Sequence, residues 1–141
     1  MRPLVFSHAG VQNMFKDKSS LDKLYNLDDE EIGEIHNCHG VIGLIADNYW
    51  VFGQEEKILD YNPVIPELIK TIDYIHHITG TYENVAVGTD YDGFTDTSDD
   101  LKDPSKMPNL TRALLNHIDD PAQVKSILGG NALRVLREGW I

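Results

Sequence analysis

Short apolar runs alternate with segments of helical periodicity along this 141-residue chain, and this alternation restricts the possible folds most strongly. Gly40–Ile45 is apolar on successive residues, as expected for a strand that is buried on both faces of a parallel sheet. Pro3–Phe6 and Val85–Thr89 are predicted to be two further strands. Because helical segments follow each strand, the predicted class is α/β with about three βα units.

Local signals predict where the helices begin and end. Asn26 or Asp28 can cap a helix that ends near Asn37. Asn62 followed by Pro63 predicts the start of the longest helix, with the proline in its first turn. The remaining predictions are helices near 108–117, 121–128 and 131–138 and long loops over 46–62 and 91–108.

The acidic composition argues against several classes of partner. Asp and Glu number 23 and Lys and Arg 12, so the formal net charge is −11. Nucleic acids and anionic membrane surfaces both bind through cationic side chains, so neither is an expected partner. The single cysteine, Cys38, fits a reducing compartment. Since the sequence has no apolar run long enough for a signal peptide or a membrane helix, we expect a cytoplasmic protein.

Two polar residues directly follow predicted strands, His8 after the first and Asp90 after the third. Parallel-strand enzymes present catalytic groups at these strand ends. An imidazole is a common zinc ligand, and a carboxylate can take a proton from a metal-bound water. From position alone, a histidine bonded to backbone and an aspartate that orders its loop are the simpler interpretations.

Two loops carry weaker functional signals. Counting from Asp90, the acidic run places Gly93 at position 4, whereas a calcium-binding EF-hand loop has its glycine at position 6. Residues 96–103 are therefore predicted to be a solvated acidic loop. The aromatic residues after the second strand either line a substrate pocket or pack on the body of the protein; they are Tyr49, Trp50 and Phe52.

The other histidines are predicted to be structural or exposed. His36, Cys38 and His39 are closely spaced, but no second cluster completes four metal ligands, so a structural role at a helix end is favoured. His76 and His77 lie away from the isoleucine stripe of the long helix and are expected to be exposed to solvent.

Several stretches together resemble the renal (membrane) dipeptidase family of zinc-dependent dipeptidases, and they occur in the same order over nearly the whole chain. The most specific are GTDYDG within 85–94 and ILGGNALRV within 124–136. The others are RPLVFSHAG at 2–10, NLDDEEI at 26–32, GVIGL at 40–44 and MPNLTRALL at 107–115. The resemblance implies that residues 1–141 form one partial domain. This domain would be the C-terminal part of a TIM-type (β/α)8 barrel of the metal-dependent hydrolase kind, with strands six to eight and the C-terminal helices.

The resemblance also implies roles for individual residues. His8 would be a metal ligand at the end of strand six. Asp90 would be the strand-eight aspartate that handles the proton during hydrolysis and contacts the dipeptide substrate, in a site that holds two zinc ions. Asp92 would either contact a residue that binds the metal or order the loop, and Asn131 would be a structural residue of the closing helices. Tyr25 stands where the family has an arginine that holds the substrate carboxylate.

In the family, the other metal ligands come from earlier strands, and the chain begins at the predicted sixth strand. We therefore expect at most weak zinc binding and no dipeptidase activity of the chain alone. The alternative is a non-catalytic remnant that acts as an assembly or binding module. Three strands would leave an exposed parallel edge, which could pair with a missing N-terminal half or with a second copy. An unrelated α/β binding protein would require the matching stretches to be accidental.

Overall fold

Three parallel strands form the centre of the structure, a computed structural model that describes residues 2–14, 24–52, 63–93 and 95–139. The strands are β1 (Val5–Ala9), β2 (Val41–Leu44) and β3 (Val85–Val87), and they lie side by side in the order β1-β2-β3. Both pairings are parallel, with Ile42 opposite Val85 in the second. The prediction of an α/β fold built from βα units is confirmed.

The helices that follow the strands are short, except for one of 16 residues. In the described ranges, none is long and apolar enough to cross a membrane. They are α1 (Asp29–Asn37), α2 (Asn48–Phe52), α3 (Val64–Thr79), α4 (Met107–His117), α5 (Pro121–Lys125) and α6 (Asn131–Gly139). Short 3-10 turns occur at Gln12–Met14 and Pro104–Lys106, and a π-helical turn at Ser126–Gly130 joins α5 to α6.

The strand β1 runs further than the predicted Pro3–Phe6 and includes His8, so the prediction that His8 follows the strand was wrong. Its pairing with β2 is also irregular. Phe6 lies opposite Ile42 and Ala9 opposite Leu44, so three steps along β1 match two steps along β2. One extra residue in one strand of a pair is a β-bulge, which bends the strand and redirects its side chains.

The loop predicted over residues 46–62 contains the helix α2, so this prediction was wrong in part. Asp47 caps the helix. Its carboxylate Oδ1 accepts a hydrogen bond from the Trp50 N–H at 3.1 Å, and its carbonyl accepts one from the Val51 N–H at 3.0 Å. A carboxylate that accepts from the third helical N–H is a favourable N-cap. Residues 53–62, including the predicted cap Asn62, lie outside the described part of the chain.

The helix α3 begins at Val64, after Pro63, which makes no side-chain cap bond. A distant residue supplies the cap. The Asp100 carboxylate accepts hydrogen bonds from the Val64 N–H at 3.1 Å and the Ile65 N–H at 2.9 Å. A negative charge at this end of a helix is also favoured by the helix dipole. The prediction of a solvated loop over 96–103 was therefore wrong in part. Asp100 caps α3 and Leu101 is buried, whereas Asp99 and Asp103 are exposed.

The two faces of the sheet are covered differently, because successive strand residues point to opposite sides. One face packs against the helices and forms the main core, which is buried from solvent. On the other face, Val41 and Ala86 pack against Val135 of α6. The main core includes Ile42, Leu44 and Val85 from the strands and Ile32, Ile35, Ile65, Leu68, Ile72, Ile75, Leu110 and Leu114 from the helices.

The last helix, α6, is fixed at the N-terminal ends of the strands. The Arg134 guanidinium donates to the carbonyl of His39, which precedes β2, at 2.8 Å, and to the carbonyl of Glu83, which precedes β3, at 3.0 Å. The Asn131 amide donates to the carbonyls of Tyr82 and Val85, each at 2.7 Å. Asn131 is thus a structural residue. The loops that carry polar residues lie at the opposite edge of the sheet, where the strands have their C-terminal ends.

His36, Cys38, His76 and His77 lie away from the C-terminal ends of the strands. The His36 ring bonds to the Asn84 side chain at 2.8 Å, and the Cys38 thiol donates to a backbone carbonyl of α1 at 3.3 Å, so the predicted structural role is confirmed for both. His77 is exposed as predicted. His76 is not fully exposed, because its ring stacks on Tyr82 with the centroids 4.2 Å apart.

We predict that Asp100→Ala lowers the free energy of unfolding by about 1–2 kcal/mol, because two N–H groups at the start of α3 lose their acceptor. Urea unfolding followed by circular dichroism measures the change. Asp99→Ala is the matched control, since the Asp99 side chain is 94% exposed and lies 3.7 Å from Lys102. Equal stabilities of the two variants would contradict the capping role.

Candidate active site

A cavity of about 320 Å³ lies where β1, the residue after β2 and the loop after β3 meet. It contains both residues that the sequence analysis singled out, His8 and Asp90. The two side chains are exposed to solvent at this open cavity. The structure therefore brings together two groups that are 82 positions apart in the sequence (90 − 8). The complete lining consists of Phe6, His8, Ala9, Tyr25, Asn26, Ile45, Trp50 and Asp90.

The His8 ring is oriented by its neighbour in the sequence. Its Nδ1 lies 2.8 Å from the hydroxyl oxygen of Ser7, within hydrogen-bond distance. If Nδ1 carries the proton and donates to this hydroxyl, Nε2 keeps its lone pair for a ligand. Histidines that bind metals commonly have such a partner on the second nitrogen, which fixes the ring and its tautomer.

Asp90 lies at the start of a tight turn with a strained backbone. Its φ angle is 56° and that of Asp92 is 64°, both in the left-handed region that non-glycine residues seldom adopt. The turn closes with a hydrogen bond from the Gly93 N–H to the Asp90 carbonyl at 3.1 Å, and the Thr95 hydroxyl donates to the same carbonyl at 3.0 Å. Strain of this kind is concentrated at functional sites.

The Asp90 carboxylate occupies space that only a glycine at position 93 leaves open. A Cβ atom on Gly93 would lie 2.8 Å from Oδ2 and 3.0 Å from Cγ of Asp90. Any other residue there would force the carboxylate or the turn to move. The glycine of the DYDG sequence thus lets the exposed Asp90 carboxylate lie against the turn.

Tyr91 anchors this turn to the rest of the loop. Its hydroxyl donates to the Leu101 carbonyl at 2.9 Å. Burial raises the pKa of the Tyr91 phenol above its ordinary value, and the negative charges of Asp103 and Asp100 raise it further. The phenol therefore stays protonated and keeps donating this bond throughout the physiological pH range.

Asp47 connects the loops after β2 and β3, and the sequence analysis missed it. It is 3% exposed. One carboxylate oxygen caps α2, and the other accepts from the Asp96 N–H at 2.6 Å. The Asn48 N–H in turn donates to the Asp96 carbonyl at 3.0 Å. Asp47 comes shortly after a buried apolar strand, the same signal that drew attention to Asp90, and this signal could have identified it.

Two aromatic rings form one wall of the cavity. Tyr25 and Trp50 meet edge to face with their centroids 5.7 Å apart. Asn26, which is 2% exposed, holds this wall in place. Its side-chain oxygen accepts from the Gly10 N–H at 3.0 Å and its amide donates to the Trp50 carbonyl at 3.3 Å. Trp50 thus lines a pocket, one of the two alternatives for the aromatic residues. The side chains of Tyr49 and Phe52 lie outside the described part.

The cavity fits part of a metal site. His8 offers an imidazole nitrogen and Asp90 a carboxylate, both suitable for zinc. In the ranges that the structure describes, no three side chains of His, Cys, Asp or Glu come together as a metal-binding group. Because a catalytic zinc ion takes three protein ligands, His8 and Asp90 alone cannot complete a site.

The fold of this chain is shared with solved metallopeptidases. A metallopeptidase from Rhodobacter sphaeroides, solved with a phosphinate mimic of the dipeptide L-Ala-D-Ala, superimposes with a TM-score of 0.81 at 20% sequence identity. The superposition covers 99% of this chain but 37% of that protein. The three strands and their helices are therefore part of a TIM-type fold, as predicted.

The sequence then places the chain within a family. Residues 1–139 match the family model of membrane dipeptidase (peptidase family M19), and the chain belongs to this family. It is 28% identical to the protein in the pqqA 5′ region of Klebsiella pneumoniae, over 98% of this chain and 47% of that one. Dipeptidase tcpJ of Claviceps purpurea is 24% identical, over 98% of this chain and 30% of its own length. The chain thus spans less than half the length of these relatives. The family is one of metal-dependent dipeptidases.

We predict that Asp47→Asn destabilises the protein by about 1–2 kcal/mol, because an amide has one acceptor oxygen and one of the two part-buried N–H groups loses this bond. Urea unfolding measures this loss. The isosteric control is Asp92→Asn, in an exposed residue whose positive φ an asparagine tolerates. If both substitutions shifted the midpoint equally, Asp47 would not be the link between the loops.

Proposed function

We propose that this chain supplies part of the active site of a zinc-dependent dipeptidase, with His8 as a metal ligand and Asp90 as the catalytic, substrate-contacting carboxylate. The observation that carries the proposal is that His8 and Asp90 line the same cavity of about 320 Å³. Membership of a metallopeptidase family supports the reaction class. Zinc is the proposed metal because a neutral imidazole, which His8 supplies, is among its usual ligands.

In this proposal, His8 binds through Nε2 while Ser7 holds Nδ1. The 2.8 Å contact between the Ser7 hydroxyl and Nδ1 limits rotation of the ring. A fixed ring loses less entropy on binding a metal than a freely rotating one. When it is bound, zinc supplies Lewis-acid polarisation of the scissile carbonyl. The further ligands must come from polypeptide other than the residues described.

Asp90 moves the proton that hydrolysis requires. The oxygen of a water molecule forms a bond to the carbonyl carbon of the dipeptide, and the bond from that carbon to the amide nitrogen breaks. The Asp90 carboxylate accepts a proton from the attacking water and passes it to the leaving amine, so the two products are neutral overall and the carboxylate is regenerated. The bonds from Gly93 and Thr95 to the Asp90 carbonyl hold the backbone from which this carboxylate projects.

The aromatic wall of the cavity indicates which substrate side chains it favours. Tyr25 and Trp50 present ring surface at the cavity. The resemblance to the family implies an arginine for the substrate carboxylate at the position of Tyr25. Among the described lining residues, none is Lys or Arg. A dipeptide with an apolar side chain against these rings is therefore the proposed substrate class.

We predict that zinc binds weakly to the purified chain and that His8→Ala abolishes this binding, because His8 supplies the imidazole ligand at the cavity. Isothermal titration calorimetry measures the affinity. His77→Ala is the control, since His77 is an exposed histidine on α3 that does not line the cavity. Zinc binding that survives His8→Ala unchanged would contradict the role of His8.

The same preparation tests the reaction. With zinc present, we expect no release of free amino acids from dipeptides by the chain alone, because the metal site lacks ligands. Turnover should appear when the chain is combined with the part of the Klebsiella relative that it does not match, and should be lost with Asp90→Asn but kept with Asp99→Asn. Rapid turnover by the chain alone would contradict the claim that its metal site is incomplete.

A second candidate function, assembly with another polypeptide, is favoured by the surface of β1. Leu4, Val5 and Phe6 are 55%, 56% and 39% exposed. Among the described residues, β1 pairs with β2 alone, so its other edge has free backbone donors and acceptors. An exposed apolar edge strand is a template for pairing with another chain. The partner in this proposal is either the remaining strands of a barrel or a second copy.

We predict that the chain elutes as a dimer or larger species in size-exclusion chromatography with light scattering, and that Val5→Lys shifts it towards the monomer, because a charge on an edge strand opposes pairing. The control is Leu133→Lys, at an apolar residue of α6 whose exposure, 53%, is close to that of Val5. A monomer at every concentration, with one cooperative melting transition, would argue against assembly through β1.

A further inference from the structure

We propose that Gly43 and Gly88 are positioning residues for His8. Because neither residue has a side chain, the bulged part of β1 packs directly against their backbones. This contact places His8 at the cavity that it shares with Asp90. The inference deepens the proposed function, because it rests on His8 and Asp90 acting together there.

The contact is between the Ser7 carbonyl and the two glycines. A Cβ atom on Gly43 would lie 2.2 Å from the Ser7 carbonyl oxygen, and one on Gly88 would lie 2.1 Å from the same oxygen. Both distances are far below the ordinary contact of carbon and oxygen. One carbonyl thus lies over a glycine of β2 and over the glycine that directly follows β3, and neither position can carry a side chain without displacing it.

Space, rather than backbone conformation, explains these glycines. Among the described glycines, Gly80 is the one with a φ angle in the left-handed region, and Gly43 and Gly88 lie outside this region. Gly43 and Gly88 therefore adopt backbone angles that other residues also adopt, and alanine would cost little in conformation. What excludes alanine is the close approach of another backbone, the situation in which a glycine inside a strand is expected.

The bulge explains why this backbone comes so close. Between Phe6 and Ala9, β1 has one residue more than β2, and the extra length bends the strand. Alternation along the strands puts Gly43 and Gly88 on the same face as Val41 and Ala86. Towards the N-terminal ends, that face is filled by Val135 of α6. Towards the C-terminal ends, it is filled by the bent backbone of β1.

The consequence for the site follows from the position of His8, the residue next to Ser7. If the Ser7 carbonyl were pushed away from the sheet, His8 would move with it, and the Ser7 hydroxyl that contacts its Nδ1 would move as well. The turn of Asp90 has anchors of its own, since the Tyr91 hydroxyl donates to the Leu101 carbonyl and the Gly88 N–H donates to the Leu44 carbonyl. The two glycines thus set where His8 lies relative to Asp90.

If these glycines only stabilised the fold, alanine at any glycine in close contact with the backbone of β1 would have the same effect on His8. The chain offers a matched comparison. A Cβ atom on Gly40 would lie 2.5 Å from the Leu4 carbonyl oxygen, so Gly40→Ala also forces β1 and β2 apart, but at the end remote from His8. Gly33 is a second control, because a Cβ atom there would meet nothing within 4 Å.

The test is the imidazole signal of His8 in a carbon–proton correlation spectrum of the full chain at one fixed pH, assigned by its absence in His8→Gln. We expect Gly43→Ala and Gly88→Ala to shift this signal. Gly40→Ala should lower the melting temperature but leave the signal at its wild-type position, and Gly33→Ala should change neither the fold nor the signal. If Gly43→Ala and Gly88→Ala move the His8 signal no more than Gly40→Ala does, the positioning role is overturned.

A measurement on the wild-type protein covers the case in which an alanine variant fails to fold. The α-protons of Gly43 and Gly88 should give nuclear Overhauser contacts to backbone protons of Ser7 or His8, and their absence would overturn the proposal. Neither readout uses metal or turnover. A failure of the proposed dipeptidase chemistry therefore shows in the zinc and hydrolysis assays, and a failure of the positioning role shows in these spectra.

Discussion

The parallel pairing of β2 with both of its neighbours is the interaction on which the rest of the structure depends. β2 is buried along its whole length and lies between β1 and β3. Through Ile42 and Leu44 it holds the main core against the helices, and through Val41 it contacts α6. Because His8 and Asp90 belong to the two strands or loops on either side, β2 also sets their separation. A parallel pair cannot be closed by a short hairpin, so each contact across β2 requires a long crossover of chain.

Much of the fold could be predicted because its signals are local. The apolar run at 40–45 became β2, Asp28 caps α1 with its side chain while Glu31 caps in return, and Gly80 ends α3 in the left-handed conformation. What could not be predicted depends on contacts between distant residues. The capping of α3 by Asp100 joins residues 35 positions apart, and no sequence window contains both partners. The helix α2 was missed because its cap, Asp47, lies in an aromatic segment that otherwise resembles a loop.

The candidate site was predictable in type but not in arrangement. Position after a strand identified Asp90, and the resemblance of the GTDYDG segment gave it a role. The bulge in the part of β1 that carries His8 depends on the register of β1 against β2, which the sequence of β1 alone does not specify. Likewise, Asn26 was expected only as a possible helix cap, whereas it holds Gly10 and Trp50 together. Its burial, at 2% exposure, is a property of the assembled fold.

The shared carboxylate of Asp47 has a consequence for motion. Because its two oxygens bond to the loop after β2 and to the loop after β3, neither loop can shift without breaking a bond to the other. Trp50 lies on the first loop and Asp90 on the second. A displacement of the segment that carries Trp50 would therefore strain the hydrogen bond between Asp47 and the Asp96 N–H, so that the connections after β2 and β3 shift together rather than independently.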